Sequence, residues 1–170
     1  MTPGRIIAFS GAHGTGKTTA VYDLACRLKR ERAADFGLIL ETARRCPYPV
    51  LSGSHRPDIS AQVWIFCEQI KCELDAAARY GLTISDRAAV DAAAYSAACG
   101  YSALAWAQMQ VLKTHAPIYD TVYFMALADH DHLIDDGFRS LIDPALRSRV
   151  ETNLLEMYAE LGIQVKKWES

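Results

Sequence analysis

The sequence predicts an α/β fold in which a five-stranded parallel sheet carries helices on both faces. Two observations lead to this prediction. Five short apolar segments alternate with longer segments whose apolar residues recur at helical spacing, a pattern typical of strands joined by helical crossovers. The first apolar segment runs directly into a glycine-rich loop and then a helical pattern, as in nucleotide-binding α/β proteins. We expect residues 1–170 to form one domain, because domains of this length are common.

In the first half of the chain, strands are expected at 5–10 and 38–40, and helices at 17–32 and 59–80. Both strands are short aliphatic runs, as expected for buried parallel strands. Both helices place apolar residues three and four positions apart. Either Asp58 or Ser60 is expected to cap the second helix. The segment between strand and helix, 42–58, is rich in Pro, Ser, Gly and Arg and is expected to be a long functional loop.

The second half continues the alternation of strands and helices. Strands are expected at 82–85, 121–127 and 162–168, and helices at 89–99, 102–115 and 144–161. Pro144 suits the first turn of the last helix, with Asp143 before it as the cap, and Gly162 suits its end. Residues 128–143 are polar and acidic and are expected to form a lid. The alanine-rich helix 89–99 is suited to close packing against the core or against a second subunit of a homodimer, and the sequence leaves both open.

The loop after the first strand reads Gly11-Ala-His-Gly-Thr-Gly-Lys-Thr18, which is the G-x-x-x-x-G-K-[ST] pattern of a P-loop, or Walker A motif. Its glycines allow backbone amides to turn inward and surround a polyphosphate at a helix N-terminus. Lys17 is expected to reach the β- and γ-phosphates of ATP, and the Thr18 hydroxyl is expected to bind Mg²⁺. The residues expected to contact the nucleotide are Gly11, His13, Gly14, Thr15, Gly16, Lys17, Thr18 and Thr19.

Polar side chains also follow the second and third predicted strands, Glu41 after one and Asp86-Arg87 after the other. Ligands of parallel sheets bind at the carboxyl ends of the strands, so these groups are expected beside the P-loop. Asp86 is predicted to be the second anchor of the Mg²⁺ site. Glu41 is predicted to bind an acceptor hydroxyl or to take its proton, although the sequence does not decide whether Glu41 or Asp86 is the base. Arg87 is predicted to neutralise phosphate charge or to bind the acceptor.

Further polar residues are candidates for the acceptor site or the lid. Arg44 follows Glu41 by one turn, with Arg45 beside it, and is predicted to bind the acceptor. Gln69 shares one face of helix 59–80 with Gln62 and Glu73, and this face either lines the acceptor pocket or is solvated. Among the arginines after the acidic lid, Arg139 is the preferred candidate for stabilising charge on the transferred phosphoryl group, because Gly137 beside it suits a hinge.

Composition narrows the class of protein. The net charge is −2 and the isoelectric point is about 6.2, which argues against a protein dominated by nucleic-acid binding. No apolar stretch is long enough for a membrane span or a signal-peptide core, so we expect a cytoplasmic protein without membrane or nucleic-acid partners. The five cysteines form no C-x-x-C pair and are expected to be reduced thiols that act as small buried hydrophobic residues.

Several of these motifs together resemble a known group of P-loop kinases. They are Gly11–Thr19, Leu40-Glu-Thr-Ala-Arg44, Gln62-Val-Trp-Ile65 with Gln69 and Glu73, Ile84-Ser-Asp-Arg-Ala-Ala-Val-Asp91 with Tyr95, and Asp135-Asp-Gly-Phe-Arg139. The set resembles the ribosylnicotinamide kinase domain of the bacterial NAD regulator and, more distantly, thymidylate and deoxynucleoside kinases. The resemblance covers nearly the whole chain.

The resemblance implies a Mg²⁺-dependent kinase that uses ATP to phosphorylate a nucleoside-like or nucleotide-like acceptor. It implies that Glu41 is the carboxylate on the acceptor side, Asp86 the one on the Mg²⁺ side, and Arg139 a lid arginine. Two departures make the substrates of the distant relatives doubtful. Thr42-Ala43 follows Glu41 where thymidylate kinases usually have a proline-glycine loop, and Ala88 follows Asp86-Arg87 where deoxynucleoside kinases usually carry Glu-Arg-Ser. A nucleoside monophosphate kinase and a nucleotide-binding switch with little turnover are the alternatives.

Overall fold

A computed structural model describes residues 4–31, 35–50, 57–129 and 144–169 of the chain. The strands are β1 (Arg5–Ser10), β2 (Gly37–Ile39), β3 (Leu82–Asp86), β4 (Tyr119–Phe124) and β5 (Val165–Lys167). The helices are α1 (Lys17–Arg30), α2 (Ile59–Arg79), α3 (Ala89–Ala98), α4 (Ser102–His115) and α5 (Pro144–Glu160). Two 3₁₀ turns, Thr42–Arg45 and Ala116–Ile118, complete the described elements.

The sheet is parallel throughout and has the strand order β2-β3-β1-β4-β5. β1 lies at its centre, between β3 and β4. The predicted fold class, a five-stranded parallel sheet with helices on both faces, is therefore confirmed. The central position of β1 places the P-loop in the middle of the carboxyl edge, with neighbouring strand ends on either side of it.

Alternating side chains of β1 divide the core into two clusters, because successive residues of a strand point to opposite faces. Ile6 and Ala8 belong to a cluster with α2, α3, α4 and α5. Phe9 belongs to the cluster on the other face, which α1 completes through Val21 and Leu24. The helix that follows the P-loop thus covers one face of the sheet, while the other face is covered by the remaining described helices.

Several strand boundaries differ from the sequence prediction because pairing, and not local composition, decides where a strand begins and ends. β4 starts at Tyr119, two residues before the predicted start, since Tyr119 pairs with Ile6. It ends at Phe124, before the predicted Leu127, because Ser10 is the last residue of β1 that it can pair with. β2 covers 37–39 and not 38–40, and β5 covers only 165–167 of the predicted 162–168.

Other local predictions have mixed outcomes. Asp58, one of two candidate caps for α2, accepts a hydrogen bond from the Ser60 amide at 2.8 Å. Most of α3 is buried against α2, α4 and α5, so its alanines serve packing within the chain. The prediction that the cysteines are buried is wrong. Cys26 and Cys67 are exposed and the other three are partly exposed, and all five are free thiols.

The part of the chain that the structure describes contains no helix long and apolar enough to span a membrane. The predicted lid lies mostly outside the described residues, and so do its arginine, Arg139, and the candidate cap Asp143.

Two adjacent leucines of α5 test the packing of this helix against the core. Leu154 is fully buried, whereas Leu155 is 44% exposed. Leu154→Ala is expected to lower the free energy of unfolding by about 2–5 kcal/mol, because it removes apolar contacts and leaves a cavity. Leu155→Ala is the matched control and is expected to change stability by less than about 0.5 kcal/mol. Urea unfolding of both variants measures this, and equal effects would contradict the observed orientation of α5.

Candidate active site

The carboxyl ends of β1, β2 and β3 bring together residues that are far apart in the sequence. Phe9 of β1 is in register with Asp86 of β3, and Ile39 of β2 is in register with Ser85. The P-loop starts at Gly11, directly after β1, and Glu41 lies two residues beyond β2. The three polar groups expected at this edge therefore lie along neighbouring strand ends.

The P-loop glycines have backbone conformations that other residues rarely adopt. Their φ angles are +149° at Gly11, +76° at Gly14 and +75° at Gly16. A Cβ atom at Gly11 would also lie 2.6 Å from the Met125 carbonyl oxygen. Gly16 precedes the first residue of α1, so the loop leads directly to the positive end of a helix dipole, where anions are stabilised.

Lys17 is the first residue of α1 and is buried, with 5% of its surface exposed. Its ammonium group donates hydrogen bonds to the Ala12 carbonyl and, at 3.0 Å, to the Thr15 hydroxyl. Loss of hydration on burial, together with the positive charge of Arg87, lowers the pKa of Lys17 to about 7. The P-loop by itself thus disfavours the charged form of Lys17, and a bound anion would favour it.

Thr18 and Asp86 lie together, as the predicted Mg²⁺ site requires. The Thr18 hydroxyl donates to Asp86 Oδ2 at 2.5 Å. Burial raises the pKa of the Asp86 carboxyl, while Arg87 and the Thr18 hydrogen bond act in the opposite direction. A hydroxyl and a carboxylate are the oxygen ligands that Mg²⁺ prefers, so the residues present fit this ion. Within the described residues, no group of three His, Cys, Asp or Glu could hold a metal.

Among the residues that the structure describes, Arg87 is the one non-glycine residue with a positive φ, which is +90°. Such a conformation costs about 1–3 kcal/mol and persists only where the surroundings fix it. Here three groups fix the peptide units on either side. The Arg87 amide donates to the Phe9 carbonyl at 3.0 Å. The Arg87 carbonyl accepts from the Ser85 hydroxyl at 2.6 Å and from the Gln69 amide at 3.2 Å.

The Arg87 guanidinium lies between two buried carboxylates. Its Nε and Nη2 atoms donate to Glu41 Oε1 at 3.2 and 3.1 Å. Its Nη1 atom contacts Asp91 Oδ1 at 3.4 Å and the Gly11 carbonyl at 3.3 Å. The carboxylates raise the pKa of Arg87 despite its burial, so its charge is permanent. We call Glu41, Arg87 and Asp91 the carboxylate–arginine cluster.

Asp91 is a site residue that the sequence analysis did not assign. Its Oδ2 atom accepts from the Ser10 hydroxyl at 2.8 Å and from the Ala88 amide at 3.0 Å. Its Oδ1 atom accepts from the Gly11 amide at 3.3 Å. A carboxylate at the third position of a helix is a known signal for capping, but that signal does not reveal the contacts with the P-loop.

Tyr95 and His13 lie next to this cluster. The Tyr95 ring stacks under the Arg87 guanidinium at 5.5 Å. Its hydroxyl accepts from the His13 amide at 3.0 Å and lies 2.7 Å from His13 Nδ1. Burial raises the pKa of Tyr95, so the hydroxyl stays protonated. Helix α3 therefore contacts the P-loop at two points, through Asp91 and through Tyr95.

Gln69 and Glu73 are buried beneath the cluster, so the solvated alternative for their helix face does not hold. The Gln69 carbonyl accepts from the Thr42 hydroxyl at 3.0 Å, and its amide donates to Glu73 at 2.9 Å. Glu73 also accepts from the Tyr119 hydroxyl at 2.8 Å and lies 2.5 Å from His115 Nε2. Gln69, predicted to bind the acceptor, is placed where it supports the backbone of Arg87 and the turn after Glu41.

Three further arginines of the described chain, in the turn after Glu41 and in α5, have different partners. Arg44 donates from Nε to Glu41 Oε2 at 2.9 Å, with its side chain half exposed. Arg45 turns to α2 and pairs with Glu68 at 3.4 Å. Arg147, in the first turn of α5, is buried and donates from Nε to the His13 carbonyl at 3.2 Å. Arg139, which the sequence analysis preferred among the arginines after the acidic lid, lies outside the described residues.

A cavity of about 520 Å³, including the space open to solvent at its mouth, adjoins these residues. Its polar lining includes all three members of the carboxylate–arginine cluster. The complete lining is His13, Glu41, Ala43, Val50, Pro57, Gln62, Ile65, Arg87, Asp91, Ala92 and Tyr95. The cavity thus has an apolar wall and a charged end next to the P-loop, which is the usual construction of a small-molecule site.

Comparison with known proteins identifies the family and the fold. A model of the AAA domain family matches residues 6–169. No curated protein matches the sequence.

Solved structures with a similar fold are nucleoside and nucleotide kinases. A deoxyadenosine kinase from M. mycoides, determined with dCMP and dCDP, is 16% identical at a TM-score of 0.69, over 96% of this chain and 88% of that chain. A thymidylate kinase from Ehrlichia chaffeensis is 17% identical at a TM-score of 0.58, over 99% and 89%. A NadR protein in complex with NAD and AMP-PNP is 19% identical at a TM-score of 0.66. The match covers 98% of this chain but only 45% of that chain. The resemblance drawn from the sequence motifs is confirmed, and at these identities the likeness shows the fold.

The lowered pKa of Lys17 predicts that polyphosphate binding takes up a proton at alkaline pH. In the free protein at pH 8 most Lys17 side chains are neutral, because their pKa is about 7. A polyphosphate beside the amine raises this pKa, so binding at pH 8 adds up to about one proton per site, and binding at pH 6 adds none through Lys17. Calorimetry of ATP binding in buffers with different ionisation enthalpies measures the uptake. Lys17→Ala is the control, and an unchanged proton uptake in that variant would contradict the assignment.

Proposed function

The chain belongs to the AAA domain family that its sequence matches, and on that premise we propose that it is an ATP-dependent kinase. The acceptor is the hydroxyl group of a nucleoside-like or nucleotide-like small molecule. The observation that carries the proposal is the position of Glu41, a buried carboxylate that lines the cavity and is bonded to Arg87 beside the P-loop. A P-loop alone fits a switch equally well, whereas an acceptor cavity with a carboxylate at its charged end fits a kinase.

On the donor side, the triphosphate of ATP occupies the P-loop. The amides of the loop and the N-terminus of α1 surround its oxygens, and Lys17 leaves its contacts with Ala12 and Thr15 to bind the β- and γ-phosphates. Thr18 and Asp86 are the residues that would hold Mg²⁺, directly or through water. When bound, this ion neutralises charge on the phosphate oxygens.

On the acceptor side, Glu41 is the better candidate for the base. Asp86 accepts a hydrogen bond from Thr18 and is absent from the cavity lining, whereas Glu41 lines the cavity. Two hydrogen bonds from Arg87, at 3.1 and 3.2 Å, hold its carboxylate at the charged end of the cavity. In the proposed step the acceptor oxygen bonds to the γ-phosphorus, its proton passes to Glu41, and the bond to the β-phosphate oxygen breaks to release ADP.

Arginines stabilise the charge that spreads over the transferred phosphoryl group. Arg147 is placed for this role, because its buried side chain is anchored on the P-loop carbonyl of His13. Arg139 remains a candidate on the lid. In this reaction the protein forms no covalent bond with the substrates. The rate enhancement therefore comes from positioning the reactants and from these charges.

Replacement of Glu41 separates a kinase from a switch. Glu41→Gln keeps the size of the side chain but removes its basicity, so phosphoryl transfer is expected to fall by about 10²–10⁴-fold. The affinity for ATP-Mg²⁺ is expected to change little, because the P-loop and Asp86 are untouched. Product mass after incubation with a panel of nucleosides and nucleotides measures transfer, and calorimetry measures affinity.

Glu156→Gln is the control for this experiment, because it removes the same charge from an exposed position on α5. Transfer by Glu41→Gln at the wild-type rate would disprove the base role. Slow ATP hydrolysis that is indifferent to Glu41, without any phosphorylated acceptor, would instead identify a switch.

A further inference from the structure

We infer that the side chain of His13 donates a hydrogen bond from Nε2 to the phosphoryl group during its transfer, and that Tyr95 is the positioning residue that keeps the proton on this nitrogen. The role of His13 rests on the proposed function and deepens it, because it adds a side-chain donor between ATP and the acceptor. Three observations support it. They are the place of His13 in the cavity, its contact with Tyr95, and the bonds that hold its backbone.

His13 belongs to both halves of the proposed site. Among residues 11–18, all of which the structure describes, it is the one that also lines the acceptor cavity. Phosphoryl transfer takes place where ATP in the P-loop meets the acceptor in the cavity, so a residue common to both lies at that boundary. His13 is buried, with 2% of its surface exposed, and a hydrogen bond is stronger where water is excluded.

The contact with Tyr95 decides which ring nitrogen of His13 carries the proton. The Tyr95 hydroxyl accepts a hydrogen bond from the His13 amide at 3.0 Å and lies 2.7 Å from His13 Nδ1. The hydroxyl proton also needs an acceptor, and among the described contacts of this hydroxyl that acceptor is Nδ1. Burial raises the pKa of Tyr95, which keeps the proton on the oxygen. Because Nδ1 accepts, the proton of the imidazole is on Nε2.

An imidazole with its proton on Nε2 is a donor suited to a phosphoryl group during transfer. Nδ1 faces Tyr95, so the N–H of His13 lies on the side of the ring away from Tyr95. Negative charge spreads over the phosphoryl oxygens in the transition state, and a fixed donor in a buried site stabilises such charge. His13 keeps its proton throughout, because the proton of the acceptor passes to Glu41. It therefore acts as a hydrogen-bond donor and not as an acid or a base.

The backbone of His13 is held on both sides, which keeps the ring in one place. Its amide donates to Tyr95 of α3, and its carbonyl accepts from Arg147 Nε of α5 at 3.2 Å. Tyr95 is held in turn, because its ring stacks under the Arg87 guanidinium at 5.5 Å. The amide of His13 is directed to α3, so the side chain is the donor that it offers to the reacting group. A donor fixed in this way needs no reorientation when charge develops.

The first experiment measures steady-state kinetics with ATP-Mg²⁺ and the best acceptor from a panel of nucleosides and nucleotides. His13→Phe keeps a planar ring without a donor, so we expect kcat to fall by about 10–100-fold, the usual effect of a hydrogen bond to a charged group. The Kd for ATP, measured by calorimetry, is expected to change by less than about threefold, because the donor acts mainly on the transition state. His13→Gln places an amide nitrogen near the position of Nε2 and is expected to retain a kcat at least about fivefold above that of His13→Phe.

Thermal unfolding checks that both variants are folded. A wild-type kcat in folded His13→Phe would overturn the inference while leaving the kinase proposal intact. A weaker affinity for ATP with an unchanged kcat would also overturn it, since His13 would then act in nucleotide binding alone. Equal losses of kcat in His13→Gln and His13→Phe would overturn the donor role. Absence of transfer to every compound by the wild type would instead overturn the proposed function, and the inference with it.

The second experiment is independent of activity and uses the wild-type protein. Two-bond ¹H–¹⁵N correlation spectra of the histidine rings distinguish a protonated ring nitrogen from an unprotonated one, and His13→Gln identifies the signals of His13. We expect the proton of the His13 ring on Nε2 and not on Nδ1. A proton on Nδ1 would overturn the inference at any level of activity and would leave the kinase proposal intact.

The same spectra test the positioning role of Tyr95. Tyr95→Phe keeps the ring under Arg87 and removes the hydroxyl, so we expect the proton of His13 to distribute over both ring nitrogens and kcat to fall by about tenfold. Tyr80→Phe is the matched control, because Tyr80 lies at the end of α2 near the start of β1, at the opposite edge of the sheet. Its spectra and kcat are expected to equal those of the wild type. An unchanged proton position in Tyr95→Phe would overturn the positioning role.

Discussion

The ion pairs of Arg87 with Glu41 and Asp91 are the interaction on which the rest of the site depends. They join the segment after β2, the end of β3, the start of α3 and, through Gly11, the P-loop. All three side chains are buried, so the loss of Arg87 would leave two buried carboxylates without this partner. The same cluster holds Glu41, the carboxylate proposed to act on the acceptor, next to the P-loop, so the stability of this edge and the proposed chemistry depend on the same contacts.

Arg87 reaches this position at a cost to its backbone. A φ of +90° is unfavourable for any residue with a Cβ atom. Hydrogen bonds from Ser85 and Gln69 to the Arg87 carbonyl hold the backbone in this conformation. Gln69 is in turn held by Glu73, which also contacts the Tyr119 hydroxyl, His115 and the Ala89 amide. Burial and the charge of Glu73 raise the pKa of Tyr119 well above its ordinary value, so this hydroxyl remains a donor. The buried polar groups of α2 thus maintain the strained turn.

The sequence by itself determined the P-loop and the strand and helix on either side of it. A P-loop is a local structure: its glycines, lysine and threonine all lie within residues 11–18, and the strand before it and the helix after it are visible as periodic patterns. The sequence also placed Glu41, Asp86 and Arg87 at one edge, because the carboxyl ends of parallel strands must meet there. The bounds of β2, β4 and β5 were less accurate, since they depend on where a neighbouring strand stops.

The tertiary structure alone decided which partners these residues have. Asp91 lies 81 residues from Ser10 in the sequence, and Arg147 lies 134 residues from His13, so no local pattern indicates either contact. The burial of Gln69 and Glu73 likewise depends on α3 and β4 closing over α2. Sequence periodicity shows which face of a helix is polar, but not whether another element covers that face. The pairing of Arg87 with two carboxylates follows from side chains that only folding brings within reach.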